Sequence, residues 1–258
     1  MDARFDLFGG SARGGEHARL HRNNQDGLAL FASDELVVAA VTDGCSSGRG
    51  SEVGARYAAE WIVRRVCADR DPSRREPATL TRDLTECVRG LAHGLRTNDE
   101  DPRGALHDFF LFTFLVAIIE PELTTVFGVG DGVVSVNGRV TVLDAGPENA
   151  PDYVAYGVLG KHAREAVIHH AGPTADVHSL IIGTDGVADL IARADDILPD
   201  GSVVGGLAAL ENDERYVKNP SLLQKRLIAL GEVHRRLRDD TSIAVIRRRG
   251  ERRPSCAT

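Results

Sequence analysis

Val37-Val38-Ala39-Ala40-Val41-Thr42-Asp43-Gly44 is the stretch on which the fold and the chemistry of this chain both turn. A run this apolar and this rich in β-branched residues reads as a buried strand, and it ends on a carboxylate. The same ending recurs twice. Val126-Phe127-Gly128-Val129-Gly130 runs into Asp131-Gly132, and Leu180-Ile181-Ile182-Gly183-Thr184 runs into Asp185-Gly186. A fourth acidic spot, Asp239-Asp240, stands just before the apolar run Ser242–Ile246.

Outward from these runs, residues 4–11 predict a first strand, and 12–25 a polar loop rich in Gly, His, Arg and Asn. Residues 27–32 and 35–42 predict two strands around the turn Ser33-Asp34. A helix is expected from Ser51 to about Ala68, with Val53, Tyr57, Ala58, Trp61, Ile62 and Val66 on its apolar face. Residues 69–78 read as a charged, proline-bearing loop, and a second helix is expected from Thr79 to Arg96. Short β-rich runs then cover 109–119, 124–130, 133–137 and 139–143, punctuated by Pro121-Glu122 and Asn137-Gly138. Strands at 165–170 and 178–184 follow, then helices near 186–192, 202–211 and 220–237, and a last strand Ser242–Arg248. Strands, two helices, many antiparallel strands, helices and a strand, in that order, make an α+β protein: a central antiparallel β-sandwich flanked by helices. With no repeat and no low-complexity linker, residues 1–248 are expected to form a single domain, and 249–258 a basic, frayed tail.

The 258 residues are 42% apolar, enough for a sizeable core, and Asp plus Glu (38) exceeds Lys plus Arg (31) for a net charge of −7. An acidic chain argues against nucleic-acid binding, while bound metal can invert the charge at a small phosphorylated-substrate site. Cys45, Cys67, Cys87 and Cys256 form no Cys-x-x-Cys and no zinc-spaced cluster with histidine. There is no signal-peptide core and no apolar run near the ~20 residues that span a bilayer. A cytoplasmic protein with free thiols, independent of membranes, is the expectation.

Asp-Gly is ordinary turn chemistry, and the five such pairs stand against roughly two expected by chance. Their context carries more than their number. A carboxylate at the end of a buried strand is costly unless it is paired or bound to metal. Two carboxylates ~4 Å apart repel by about 4 kcal/mol at an effective dielectric near 20. Few basic residues lie close in sequence, so a divalent cation cluster is the simplest way to hold several together. All-oxygen ligation favours Mg²⁺ or Mn²⁺.

The sequence resembles the metal-dependent protein phosphatases of type 2C in their compact bacterial form. The matching segments are Asn24-Gln25-Asp26, Val41-Thr42-Asp43-Gly44, Gly130-Asp131-Gly132, Thr184-Asp185-Gly186 and Asp239-Asp240-Thr241, in family order. The resemblance implies a β-sandwich flanked by helices, a site at one edge of the sandwich, and hydrolysis of phosphoserine or phosphothreonine in proteins. Asp43 would bridge two metals, with the Gly44 carbonyl as a further ligand, and Asp185 and Asp239 would complete the first site. Asp131, with Asp185, would serve a third, weaker site. Asp26 would act on water at the metals or on the phosphate. Water would attack directly, leaving the cysteines without a catalytic role.

The chain also departs from the pattern. Gln25 replaces a frequent Glu, Cys45 stands where eukaryotic members often have His, and the phosphate-binding Arg falls on His21. Phosphate contact is therefore expected from His17, then Arg22 and His21. These departures motivate an alternative, a pseudophosphatase that binds a phosphoprotein without turnover. Another two-metal hydrolase, such as a phosphodiesterase, is a third reading. The expected partners are a phosphorylated protein and a kinase acting on it. Thr113 reads as structural, and His169-His170 as solvent-exposed at a strand end.

Overall fold

In the computed structural model, which describes residues 4–69, 71–95, 101–146, 151–160 and 165–250, the opening stretch forms β3 (Val37–Gly44). Its side chains alternate between two cores. Val37, Ala39 and Val41 pack with Leu115, Ile182 and Ala244, while Val38 and Ala40 pack with Ile62 and Phe114. A strand covered on both faces has no polar face to present, hence the unbroken apolar run.

One sheet has the order β1 (Phe5–Ala12), β10 (Thr241–Arg248), β9 (Ser179–Gly183), β6 (Gly132–Val136), β7 (Arg139–Leu143). The other runs β2 (Gly27–Ala32), β3, β4 (Phe112–Ile119), β5 (Leu123–Val129), β8 (Val167–Pro173). Every strand pairing is antiparallel. The sheets meet over a core that includes Phe5, Val41, Leu115, Val126, Leu180 and Ile246. Helices α2 (Ser51–Ala68), α3 (Pro77–Gly94) and α4 (Arg103–Phe109) cover the outer face of the second sheet. Helices α5 (Val187–Ala192), α6 (Leu207–Asn212), α7 (Glu214–Lys218) and α8 (Ser221–Ile228) cover that of the first. The expected α+β sandwich flanked by helices is the observed fold.

Strand register gathers one end of the sandwich. Thr42, two residues before the end of β3, faces Gly27 at the start of β2, and Ala12, at the end of β1, faces Thr241 at the start of β10. Gly183, at the end of β9, faces both Ile243 of β10 and Val133 of β6. Each acidic motif sits at this end, Asp43 in the last residues of β3 and the others in connections.

Four local expectations are corrected. The buried face of α2 is Ala55, Ala58, Ala59, Ile62, Val63 and Val66, whereas Val53 and Tyr57 are 55% and 42% exposed. The helix lies so close to the sheet that small residues are needed there: the Ala55 carbonyl accepts a 2.8 Å hydrogen bond from Thr42 Oγ1 on β3. Residues 109–111 are not strand, because Arg103–Phe109 closes a helical turn with Leu106 buried under it. The polar loop 12–25 contains a short helix, α1 (Gly15–Arg19). The helices expected at 202–211 and 220–237 are shorter. The first begins at Leu207, and the second loses α geometry at Ile228 and continues as a π-turn through Ala229–Val233. Arg96 and the tail residues 251–258 lie outside the described residues. Arg249, at the start of the expected frayed tail, is held by a 2.6 Å bond to Asp6. No helix among the described residues is long and apolar enough to cross a membrane.

Candidate metal centre

The strand ends deliver their carboxylates to one place. Asp43 is the penultimate residue of β3, opposite Thr113 of β4. Asp185 links β9 to α5, Asp239 precedes β10 and Asp26 precedes β2. Asp131 stands where the chain leaves one sheet for the other, between β5 and β6. Gly130 and Gly132 make that corner with φ of +98° and +137°, values that side chains rarely adopt.

The electrostatics show how crowded this end is. Desolvation, then the charges of Asp26, Asp185, Asp131 and Asp239, raise Asp43 well above the carboxylate range. Desolvation and Asp240 do the same to Asp26, partly offset by the 2.8 Å hydrogen bond that its Oδ2 accepts from Thr184. Asp185 is pushed up to about 7 by desolvation and by Asp239 and Asp131. Asp131 and Asp239 are raised as well, by desolvation first. Among the described residues the one cationic partner in ion-pair contact with any of these groups or with Asp240 is His17, on Asp240. Asp26 Oδ1 and Asp131 Oδ1 are buried with no hydrogen-bond partner, and so is Gln25 Oε1. Buried, unpartnered carboxylate oxygens in a set of unmatched like charges are what a hard cation neutralises. The donor set fits Mg²⁺ or Mn²⁺.

Asp240, next in sequence to Asp239, is different. Its Oδ1 accepts from Gly14 N (2.7 Å), and its Oδ2 from Gln25 N (2.6 Å), with His17 Nδ1 at 2.7 Å. The hydrogen bond to Asp240 raises the His17 pKa above its ordinary value. His17, Asp239 and Asp240 each place a ligand atom within 4.8 Å of the others. Three of the roughly four lone-pair sites of Asp240 are occupied by these contacts, so Asp240 anchors the loop 14–25 just ahead of β10.

The loop residues expected near phosphate separate. His17 is buried against Asp240. His21 is exposed and takes a left-handed φ of +54°. Arg22 is exposed and donates to the Ser46 carbonyl, bridging the loop to the segment that follows Asp43-Gly44. Thr113 is buried in β4. Contrary to the solvent-exposed expectation, His169 and His170 bury their Nε2 atoms, and the β5–β8 register shift falls at this pair.

The sequence profile described as protein phosphatase 2C matches residues 13–225. The chain belongs to this family. Comparison with curated proteins gives no match. Among solved structures, serine/threonine phosphatase Stp1 from Staphylococcus aureus superposes with a TM-score of 0.60 at 13% identity, covering 97% of this chain and 96% of that one. A bacterial serine phosphatase does so at 0.60 and 12%, covering 98% and 100%. The catalytic domain of serine threonine protein phosphatase PstP, in complex with two manganese ions, gives 0.53 and 14%, covering 94% and 97%. At these identities the likeness is one of fold.

Two contributions in this member of protein phosphatase 2C were not assigned from sequence. The role of Asp240 is not legible in the sequence, because its partners Gly14, His17 and Gln25 lie more than 200 residues away. Thr184, next to Asp185, holds Asp26 and also accepts from Ser242 N at 2.9 Å.

Proposed function

We propose that this protein hydrolyses phosphoserine and phosphothreonine in proteins, with Mg²⁺ or Mn²⁺ held by the carboxylate cluster. The observation that carries this reading is the convergence of Asp26, Asp43, Asp131, Asp185 and Asp239 at one end of the sandwich, with buried oxygens of Asp26 and Asp131 left without partners. Divalent ions at such a site supply an activated water and neutralise charge on the phosphoryl group in an in-line displacement.

The chain's own residues divide the remaining work. Asp43, with the Gly44 carbonyl, Asp185 and Asp239 would hold the ions, and Asp131 with Asp185 would hold a further one. Asp26, fixed at Oδ2 by Thr184, keeps a buried, unpartnered Oδ1 that would accept from water held at the ions. The exposed guanidinium of Arg22, beside the loop after Gly44, is the group best placed to hold the phosphate. His17, through Asp240, positions the loop 14–25 that carries Arg22.

A second reading, binding of a phosphoprotein without turnover, is favoured by Gln25, a buried neutral amide where a carboxylate is frequent. The complete set of aspartates favours turnover. The test is hydrolysis of a phosphoserine peptide with saturating Mn²⁺ by the wild-type chain and by Asp43→Ala and Asp239→Ala. Turnover by the wild type and none by the variants is the expected result. Undiminished turnover in either variant contradicts the proposal, and binding without any wild-type turnover supports the second reading.

A further inference from the structure

Beside the metal centre lies a cavity of about 410 Å³ that the reaction chemistry does not use. Arg13, Gly15 and Arg19 line it from the end of β1 and from α1, and Gly231, Glu232 and Arg235 line it from the π-turn and the residues after it. Three guanidiniums face one carboxylate, a local charge of +2 on a chain whose net charge is −7. Arg13 meets Glu232 at 3.4 Å in a partly exposed pair. Arg19 and Arg235 are exposed and have no carboxylate partner among the described residues. Arg235 holds a left-handed φ of +51°, uncommon for a long side chain. This is the left-handed residue that ends the helix, with Arg236 N donating to the Leu230 carbonyl at 2.8 Å, and it fixes Arg235 at the rim of the cavity.

The cavity is also close to the chemistry. Gly14 packs so tightly on the connection before β10 that a Cβ there would lie 2.2 Å from the Asp239 carbonyl carbon. Its neighbour Gly15 lines the cavity. Consecutive Cα atoms are ~3.8 Å apart, so the cavity starts within about 10 Å of Asp239. An extended peptide advances ~3.3–3.6 Å per residue, so a substrate residue two or three positions from the phosphorylated one would reach it.

We infer that this cavity is a subsite for acidic side chains flanking the phosphorylated residue, making acidic phosphopeptides the preferred substrate class. The inference rests on the phosphatase reading for its place in the reaction, but the subsite is testable by binding alone. Two fluorescein-labelled peptides would carry a non-hydrolysable phosphonate in place of phosphoserine, one with Glu and one with Lys two and three residues away on both sides. Their affinities for the full chain with Mn²⁺ are read by fluorescence anisotropy. The Glu peptide is expected to bind about fivefold to tenfold tighter at low salt, with the preference shrinking as salt is added. Arg19→Glu combined with Arg235→Glu should bring the two peptides to within about twofold. Arg235→Gly, which also relieves the left-handed backbone, should lower the preference without a folding cost. Equal wild-type affinities, no binding of either peptide, or a preference unchanged in both variants overturns the inference. Turnover of the matching phosphoserine peptides tests the phosphatase reading separately. Preference without turnover would remove that reading and leave the subsite.

Discussion

Asp240 and its neighbours in the carboxylate cluster occupy the same end of one sandwich and meet opposite fates. Asp240 is 2% exposed, yet each of its oxygens accepts a backbone N–H and one also meets His17. Asp26 and Asp131 are as well buried and keep oxygens with no partner. A satisfied buried carboxylate holds structure together, while an unsatisfied one destabilises the fold until something cationic arrives. Burial alone does not separate a structural aspartate from a functional one; the count of donors does.

The largest expected effect breaks the cluster side of this contrast. Asp43→Asn should lower kcat by at least about a thousandfold, roughly 4 kcal/mol of transition-state stabilisation. The same change should raise the melting temperature of the metal-free protein, because one repelling charge is gone. A lower melting temperature would mean that Asp43 is structural. Asp240→Ala should do the reverse to the fold, costing about 3 kcal/mol or more by orphaning His17 and two backbone N–H groups. Urea unfolding measures it, and a change below about 1 kcal/mol would refute the anchor.

Stability against pH sharpens the contrast further. Asp185 ionises near 3.8 when unfolded but only at about 7 when folded. The folded state therefore holds the proton longer, and metal-free stability should fall as pH rises from about 4 through 7. The raised His17 pKa acts in the same direction: its contribution is complete below about 6.5 and lost as pH passes the folded value. Melting temperatures of the metal-free chain should thus drop between pH 5 and 8, and Mn²⁺ should restore most of the loss at pH 8. A melting temperature that climbs across this window would contradict the charge assignment. Thr184→Val, which removes the bond to Asp26 Oδ2, should cost about 1 kcal/mol of stability and about tenfold or more in kcat, and the ratio of rates checks it. Cys45→Ser should change kcat by less than about twofold.

What could be read in the amino-acid chain follows from what is local. Buried strands covered on both faces must be apolar, so Val37–Val41 and Leu180–Gly183 announced themselves, and the aspartates at their ends came with them. The inner face of α2 did not, because close packing on β3 favoured Ala55, Ala58 and Ala59 over the bulkier Val53 and Tyr57. The beginning of β4 was misplaced because an apolar run ending a helix looks like one starting a strand. The anchoring role of Asp240 depends on Gly14, His17 and Gln25, which meet it only after β1 and β10 pair. The burial of His17 and the exposure of His21 and Arg22 rest on the same long-range pairing.

The most direct test is anomalous diffraction from crystals of the wild-type chain soaked in Mn²⁺. Manganese peaks are expected among Asp43, Asp131, Asp185 and Asp239, with none on Asp240. A peak held between His17 and Asp240, with the cluster left empty, would contradict that expectation.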